Sequence, residues 1–171
     1  MIHINIGSNL KSVYGTKFEN ILIAIKLLKE SNFKVKKVSS FYETPSYPNK
    51  KLPKFINIGL MGWFNFGHKK LLKNISLIEK KLGRIKKKKN DPRVCDIDII
   101  DFNGLIIKNK LLSLPHKRAH LRNFVLFPIK EIDPKWIHPI SMQNVDFLLD
   151  ELGKISRIEI TRLRKSVIIK I

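Results

Sequence analysis

Acid is scarce in this sequence: 14 Asp and Glu stand against 34 Lys and Arg, a net charge of +20. Cysteine is almost absent as well. The lone Cys95 excludes an internal disulfide framework and a Cys-rich zinc site, and it fits a reducing compartment. The five His residues show no HExxH or paired ligand spacing, which leaves soft-metal chemistry without support. No apolar run approaches the roughly 20 residues that a membrane span needs. The amino terminus MIHINIGSNL also lacks a basic stretch followed by a long apolar one. The expectation is a soluble, cytoplasmic protein without a membrane partner. There is no GxxxxGKS/T motif, so nucleotide chemistry of the P-loop type is excluded, and IGSNL is too poor in glycine for a dinucleotide fingerprint.

What is present describes a globular chain. With 171 residues, 43% hydrophobic and 9% aromatic, it is long enough for one domain with its own core. No repeat, low-complexity linker or composition shift divides it. Two explanations of the positive charge stand: a polyanion partner such as nucleic acid, or a compositional bias toward Lys, Ile and Asn together with a phosphate ligand. The lysines are scattered along the chain, which favours the second.

MIHINI alternates like a strand and GSNL turns the chain. A helix follows, with capping-box spacing at Thr16 and Glu19 and an apolar face of Ile21, Leu22, Ile25 and Leu28. FKVKKVSSFYE is a second strand, TPSYPNKKLPK a proline-rich loop, and FINIGLMGWFNF a third strand. A helix over 68–82 then turns Leu71, Leu72, Ile75 and Ile78 inward. After the basic loop GRIKKKKNDP comes a fourth strand, and Asn103-Gly104 makes a two-residue hairpin turn into a return strand that ends at Pro115. Helical spacing from Arg118 is broken by Pro128, NVDFLLDEL is a short helix, and SRIEITRLRKSVIIKI contributes one or two further strands. The order β-α-β-β-α-β predicts a ferredoxin-like α+β fold, an antiparallel sheet with helices on one face.

The fourth strand carries the chemistry. In RVCDIDIID, Asp96 and Asp98 are i and i+2, on one face and roughly 6.6 Å apart at Cα, with Ile97 and Ile99 opposite. Two carboxylates this close repel and require a cation. Hard oxygen donors without His or Cys point to Mg²⁺, which commonly shares one or two carboxylates with phosphates. The plainer alternative is a strand whose polar face meets water or a lysine. The surroundings weigh against it: Arg84, Lys86, Lys87 and Arg93 precede the strand, and His116, Arg118 and Arg122 follow the return strand. Acids for a metal and guanidinium forks for phosphoryl oxygens are what a metal-bound polyphosphate needs. Cys95 reads as a buried apolar residue, and Asp101 as an ordinary strand-end residue.

Taken in order, IGSNL, SSFYETP, FINIGL, IEKKLGR, DPRVCDIDII and LPHKRAHLRNFVLFPIKEI resemble the 6-hydroxymethyl-7,8-dihydropterin pyrophosphokinase family of folate synthesis. The resemblance covers about Ile2 to Pro139 and leaves 152–171 as a tail outside it. It implies transfer of pyrophosphate from ATP to the pterin's hydroxymethyl oxygen, with release of AMP. It matches Asp96 and Asp98 to the ligands of two Mg²⁺ ions, and Arg84 and Arg93 to the catalytic arginines. His116 and Arg122 match nucleotide contacts, with Ser113, Ile99 and Glu79 also on the ATP side, and Lys86 and Lys87 join them as part of the basic cluster. Phe55 and Phe124 match an aromatic pair that sandwiches the pterin. Thr44, Pro45 and Asn57 match positions that read the pterin edge, and Asp96 lies near the attacking hydroxyl. The partners implied are ATP and the pterin, with no nucleic acid and a monomeric chain.

There are departures from the family's pattern. The loop KKKKND lacks the Trp often found before PR, Leu111 and Lys117 stand where an Arg and an aromatic occur, and Cys95 stands where Leu is expected. The first puts the loop's closure in doubt, and the next two imply altered ATP affinity. The rival reading, an RNA-binding module of the same architecture, needs an aromatic RNP-type motif, and GWFNFG lacks that pattern.

Overall fold

The computed structural model describes residues 1–84 and 91–164. Strand β1 (Ile2–Ser8) lies near the middle of a six-stranded sheet, between β4 (Phe55–Trp63) and β5 (Asp96–Phe102), and is antiparallel to both. The far side of β4 pairs with β2 (Lys34–Val38) and then with β3 (Tyr42–Thr44). The expected single strand FKVKKVSSFYE is thus two. Ser39 interrupts it, accepting the Gly59 N–H on its hydroxyl at 2.9 Å while its own N–H donates to the Gly59 carbonyl.

Alternation in β1 sends Ile2, Ile4 and Ile6 to one face, where they are almost fully buried. Two helices cover that face, α1 (Lys17–Glu30) and α2 (His68–Lys81). The Thr16–Glu19 capping box starts α1, and Ile21, Ala24, Ile25 and Leu28 pack on the strands together with Leu71 and Ile75 of α2. His3, Asn5 and Gly7 point to the other face. There a second, smaller core gathers around α3 (Asn123–Ile132) and α4 (Val145–Glu151), so both faces carry helices. Asn144 caps α4, accepting the Phe147 N–H at 2.8 Å.

Three expectations need correction. Asn103 and Gly104 do turn, with φ of +56° and +73°, but the chain then leaves the sheet. The return segment forms a separate two-stranded ribbon, β6 (Ile107–Lys108) with β7 (Ser113–Leu114). Pro128 does not break its helix: α3 runs through it, and the proline packs on Gly59, where an added Cβ would lie 2.8 Å from the Pro128 Cβ. The tail is part helix. Lys154–Ile158 forms α5, and Thr161–Arg162 forms β8, which pairs with the edge of β3. Residues 165–171 of the expected strands lie outside the described residues. Among the described residues no helix is long and apolar enough to cross a membrane.

Candidate active site

Strand β5 presents Asp96 and Asp98 on the face opposite the main core, while Ile97 and Ile99 are buried in it. Gly7 of β1 pairs with Asp96 and Asn5 pairs with Asp98, so the two acids rise beside a strand with small or neutral side chains. The positive partners come from four separate segments. Arg84, just past α2, places Nη1 2.8 Å from Asp96 Oδ1 and also bonds Glu79. Arg93 Nη1 donates to the other oxygen, Asp96 Oδ2, at 3.0 Å. Arg122, at the start of α3, donates to Asp98 Oδ2 at 3.2 Å, and His116 Nε2 lies 3.9 Å from the same atom. Each oxygen of Asp96 therefore faces its own guanidinium, and Asp98 faces a third.

Burial and like charge still act on these groups. Burial, then the neighbouring Asp96 charge, push the Asp98 carboxyl above its usual range, opposed by His116, Arg122 and Arg84. Burial pushes Glu79 up to about 7 against the pull of Arg84 and of the Ile97 N–H it accepts. Burial disfavours the charge on Arg84, and Asp96 and Glu79 together outweigh it, so its pKa is raised. His116 is lowered, by burial first, which keeps the imidazole neutral near pH 7.

The acids form one side of a cavity of about 980 Å³ whose other side is aromatic and neutral. Thr44, Pro45, Phe55, Asn57 and Phe124 line it together with Arg84, Arg93, Asp96, Asp98 and Arg122. Asn57 donates to the Thr44 hydroxyl at 3.1 Å, which fixes the amide at the cleft wall. Gly7 keeps the floor open, because a Cβ there would lie 2.9 Å from Asn57 Oδ1 and 3.5 Å from the Phe55 ring. The Arg122 guanidinium sits 5.3 Å from the Phe124 ring centroid, joining the charged and aromatic sides.

Eleven of the residues singled out from sequence, Arg118 among them, thus meet in one cavity. Glu79 and His116 stand behind the arginines and aspartates rather than in its lining. Ser113 lies in β7, and the Ile99 side chain is in the core on the opposite face, so neither lines the cavity. Lys86 and Lys87 lie outside the described residues. Leu111 and Lys117 are exposed, and Cys95 is fully buried, its thiol pushed up by burial, as a packing residue should be.

Sequence reasoning missed two contributors. Asn9 donates to the Ser46 hydroxyl at 3.3 Å and to the Pro53 carbonyl at 3.2 Å, and its Oδ1 accepts the Arg93 N–H at 2.7 Å. One side chain thus ties the proline-rich loop to the arginine segment, and an Asn in a turn after a strand was the signal available. The tail is the second. Gly153, Ile155, Ser156 and Glu159 line the cavity, Glu159 pairs with Lys50 of the proline-rich loop, and Asn123 donates to the Ser156 carbonyl at 2.5 Å.

Asp101 also departs from the sequence reading. Opposite His3 and Ile4, β5 carries one extra residue, Ile100, and this irregularity moves Asp101 off the Ile97–Ile99 face and onto that of His3 and the second core. It is buried and accepts the Trp136 indole N–H at 2.9 Å and the Gly104 N–H at 2.8 Å.

A carboxylate pair ringed by guanidinium groups thus faces two phenylalanine rings across one sheet end. A family model described as 7,8-dihydro-6-hydroxymethylpterin-pyrophosphokinase (HPPK) matches residues 3–134, and the chain belongs to this family. The folic acid synthesis protein FOL1 of Dictyostelium discoideum is 39% identical over 139 residues, which are 81% of this chain and 20% of that protein. The 2-amino-4-hydroxy-6-hydroxymethyldihydropteridine pyrophosphokinase of Aquifex aeolicus is 34% identical over 139 residues, 81% of this chain and 84% of its own length. The chain therefore spans a fifth of the first relative and most of the second. The crystal structure of wild-type Plasmodium falciparum HPPK-DHPS shares the fold, with a TM-score of 0.68 over 94% of this chain and 47% of that one at 15% identity. The family is one of diphosphotransferases in folate synthesis.

Proposed function

We propose that this chain transfers the pyrophosphoryl group of ATP to the hydroxymethyl oxygen of 6-hydroxymethyl-7,8-dihydropterin and releases AMP. One observation carries the reading. Arg84, Arg93 and Arg122 converge within 3.2 Å of two carboxylates on one strand face, in the same cavity as Phe55 and Phe124.

In this reading the pterin ring lies between Phe55 and Phe124, an offset-stacked use of two aromatic faces, and its amide edge meets Asn57 and the Thr44–Pro45 backbone. The hydroxymethyl oxygen then points toward Asp96. It bonds to the β-phosphorus, the bond from that phosphorus to the oxygen bridging to the α-phosphate breaks, AMP leaves with that oxygen, and the hydroxyl proton departs on the Asp96 side. Arg84 and Arg93, which hold Asp96 in the free chain, turn to the phosphoryl oxygens, where planar forks stabilise charge on the transferring group. Arg122 and His116 meet the triphosphate from the other side.

The acid pair fits Mg²⁺. Its donors are hard oxygens on one face of one strand. Two protein carboxylates leave the remaining positions to water and phosphate, the usual arrangement of nucleotide-bound Mg²⁺. Asp96 and Asp98 would hold two such ions, which supply charge neutralisation at the phosphates.

The test is a phosphorus NMR assay of ATP with the pterin, with and without Mg²⁺. The reading requires AMP and pterin diphosphate in equal amounts, only with Mg²⁺. Formation of ADP, or AMP released without pterin diphosphate, would overturn it.

A further inference from the structure

Helix α3 has a defect that another strand repairs. In a helix the carbonyl of residue 124 accepts the N–H of residue 128, but residue 128 is proline and has none. The Phe124 carbonyl is left without its helical donor at the turn that carries the Phe124 ring into the cleft. Asn5 of β1 sits beneath it. With its amide nitrogen turned toward the two carbonyls that face it, Asn5 Nδ2 lies 2.9 Å from the Phe124 oxygen and 3.1 Å from the Ile58 oxygen. Only the nitrogen end can face two acceptors, so both amide protons are used. One holds central strand β4, and the other holds the first turn of α3.

The surroundings agree with this bridge. Asn5 is buried and pairs with Gly59 in the sheet, and Gly59 is the position on which Pro128 and Ile132 pack. Proline and asparagine thus meet adjacent spots: the ring seats α3 on β4, and the amide satisfies the carbonyl that the ring orphans. Asn5 also lines the cavity, between Phe124 and its cross-strand neighbour Asp98.

We propose that Asn5 is a positioning residue for Phe124, fixing the aromatic wall of the substrate slot through the carbonyl that Pro128 leaves free. The proposal rests on the reading of Phe124 as the wall against the flat substrate ring. Its signature is selective: loss of the amide weakens binding of the pterin far more than that of ATP, because Arg84, Arg93 and Asp96 do not depend on this bond and only Arg122, at the start of α3, adjoins the wall that moves.

The experiment compares Asn5→Ala, Phe124→Ala, the double variant and Asn5→Ala/Pro128→Ala. Each is titrated with the pterin by fluorescence and with ATP, and followed by steady-state turnover. Asn5→Ala should weaken pterin binding about tenfold, the scale of one buried carbonyl left unsatisfied, with kcat at saturating pterin preserved. Combined with Phe124→Ala it should add nothing further. Pro128→Ala restores an N–H at position 128 and should recover pterin affinity in the Asn5→Ala background. Should Asn5→Ala not fold, Asn5→Ser, too short to reach the carbonyl, is read in its place. Equal weakening of pterin and ATP, additive effects, or no recovery with Pro128→Ala would overturn the role of Asn5. If Phe124→Ala itself leaves pterin binding intact, the assignment of the slot fails and the proposal fails with it.

Discussion

Arg84 and Asp96 meet at 2.8 Å across the segment that separates α2 from β5. The contact joins the end of a helix to the beginning of a strand at the edge of the cavity. Arg93 takes the second oxygen of the same carboxylate at 3.0 Å, so two forks are stored on one acid before any phosphate arrives. Arg84→Ala or Arg93→Ala should lower kcat by roughly 10²–10³-fold, the usual cost of one preorganised donor at a site of developing charge. Pterin affinity should change little. Arg84→Lys should recover only a small part, because an ammonium cannot present a planar fork. Initial rates of AMP release, with a separate pterin titration, decide this.

Asp98→Asn removes charge while keeping shape. The Mg²⁺ concentration for half-maximal turnover should rise at least about tenfold, and chelation of Mg²⁺ should silence the unaltered chain. A Mg²⁺ titration of turnover measures both.

Asp101 makes a different prediction, since it lies outside the cavity. Asp101→Leu strips the Trp136 indole of its acceptor and should cost about 1–3 kcal/mol of stability. The kcat of the folded variant should be unchanged. Urea unfolding followed by tryptophan fluorescence gives the first quantity and turnover the second.

Two buried histidines should each cost stability in mild acid, against the opposite effect of Glu79, whose raised pKa makes the folded chain take up a proton in the same range. His3 is buried, donates from Nε2 to Asp133 at 2.9 Å, and titrates below its ordinary value near 6.5 because burial outweighs Asp101 and Asp133. His138 is lowered as well, by burial and then by His120. The unfolded chain takes up these protons more readily than the folded one. Their contribution is therefore complete above pH 6.5 and is lost as pH falls below it, by at most about 1.4 kcal/mol per pH unit for each group. The difference in unfolding free energy between the unaltered chain and His3→Gln/His138→Gln, measured from pH 7.5 to 5, should show this slope, since the opposing contribution of Glu79 is common to both.

Much of the fold was legible because its signals are local. Alternation marked β1, and the capping box at Thr16 and Glu19 together with 3.6-residue periodicity placed α1 and α2 within a residue or two. The misreadings were all decided at a distance. The hairpin after Asn103-Gly104 was read from a turn that does form, yet whether the next strand pairs depends on what lies beside β5. Pro128 looked like a helix end because local rules say so, and it is tolerated because Gly59 offers it a seat. The tail became part of the cleft because β3 has a free edge on which Thr161–Arg162 can pair.

The same division holds at the site. Sequence by itself determined that Asp96 and Asp98 share a face, since strand geometry repeats every two residues, and that the chain bears the ordered motifs of its family. It also supplied Arg84, Arg93, Arg122, Phe55 and Phe124 as residue types suited to phosphate and to a flat ring. Tertiary structure alone decided which arginine faces which oxygen, that Asn9 ties Arg93 to the proline-rich loop, and that Asp101 turns inward. The reason is that each of these contacts joins segments brought together only by the antiparallel sheet, and no local periodicity records which strand will lie beside which.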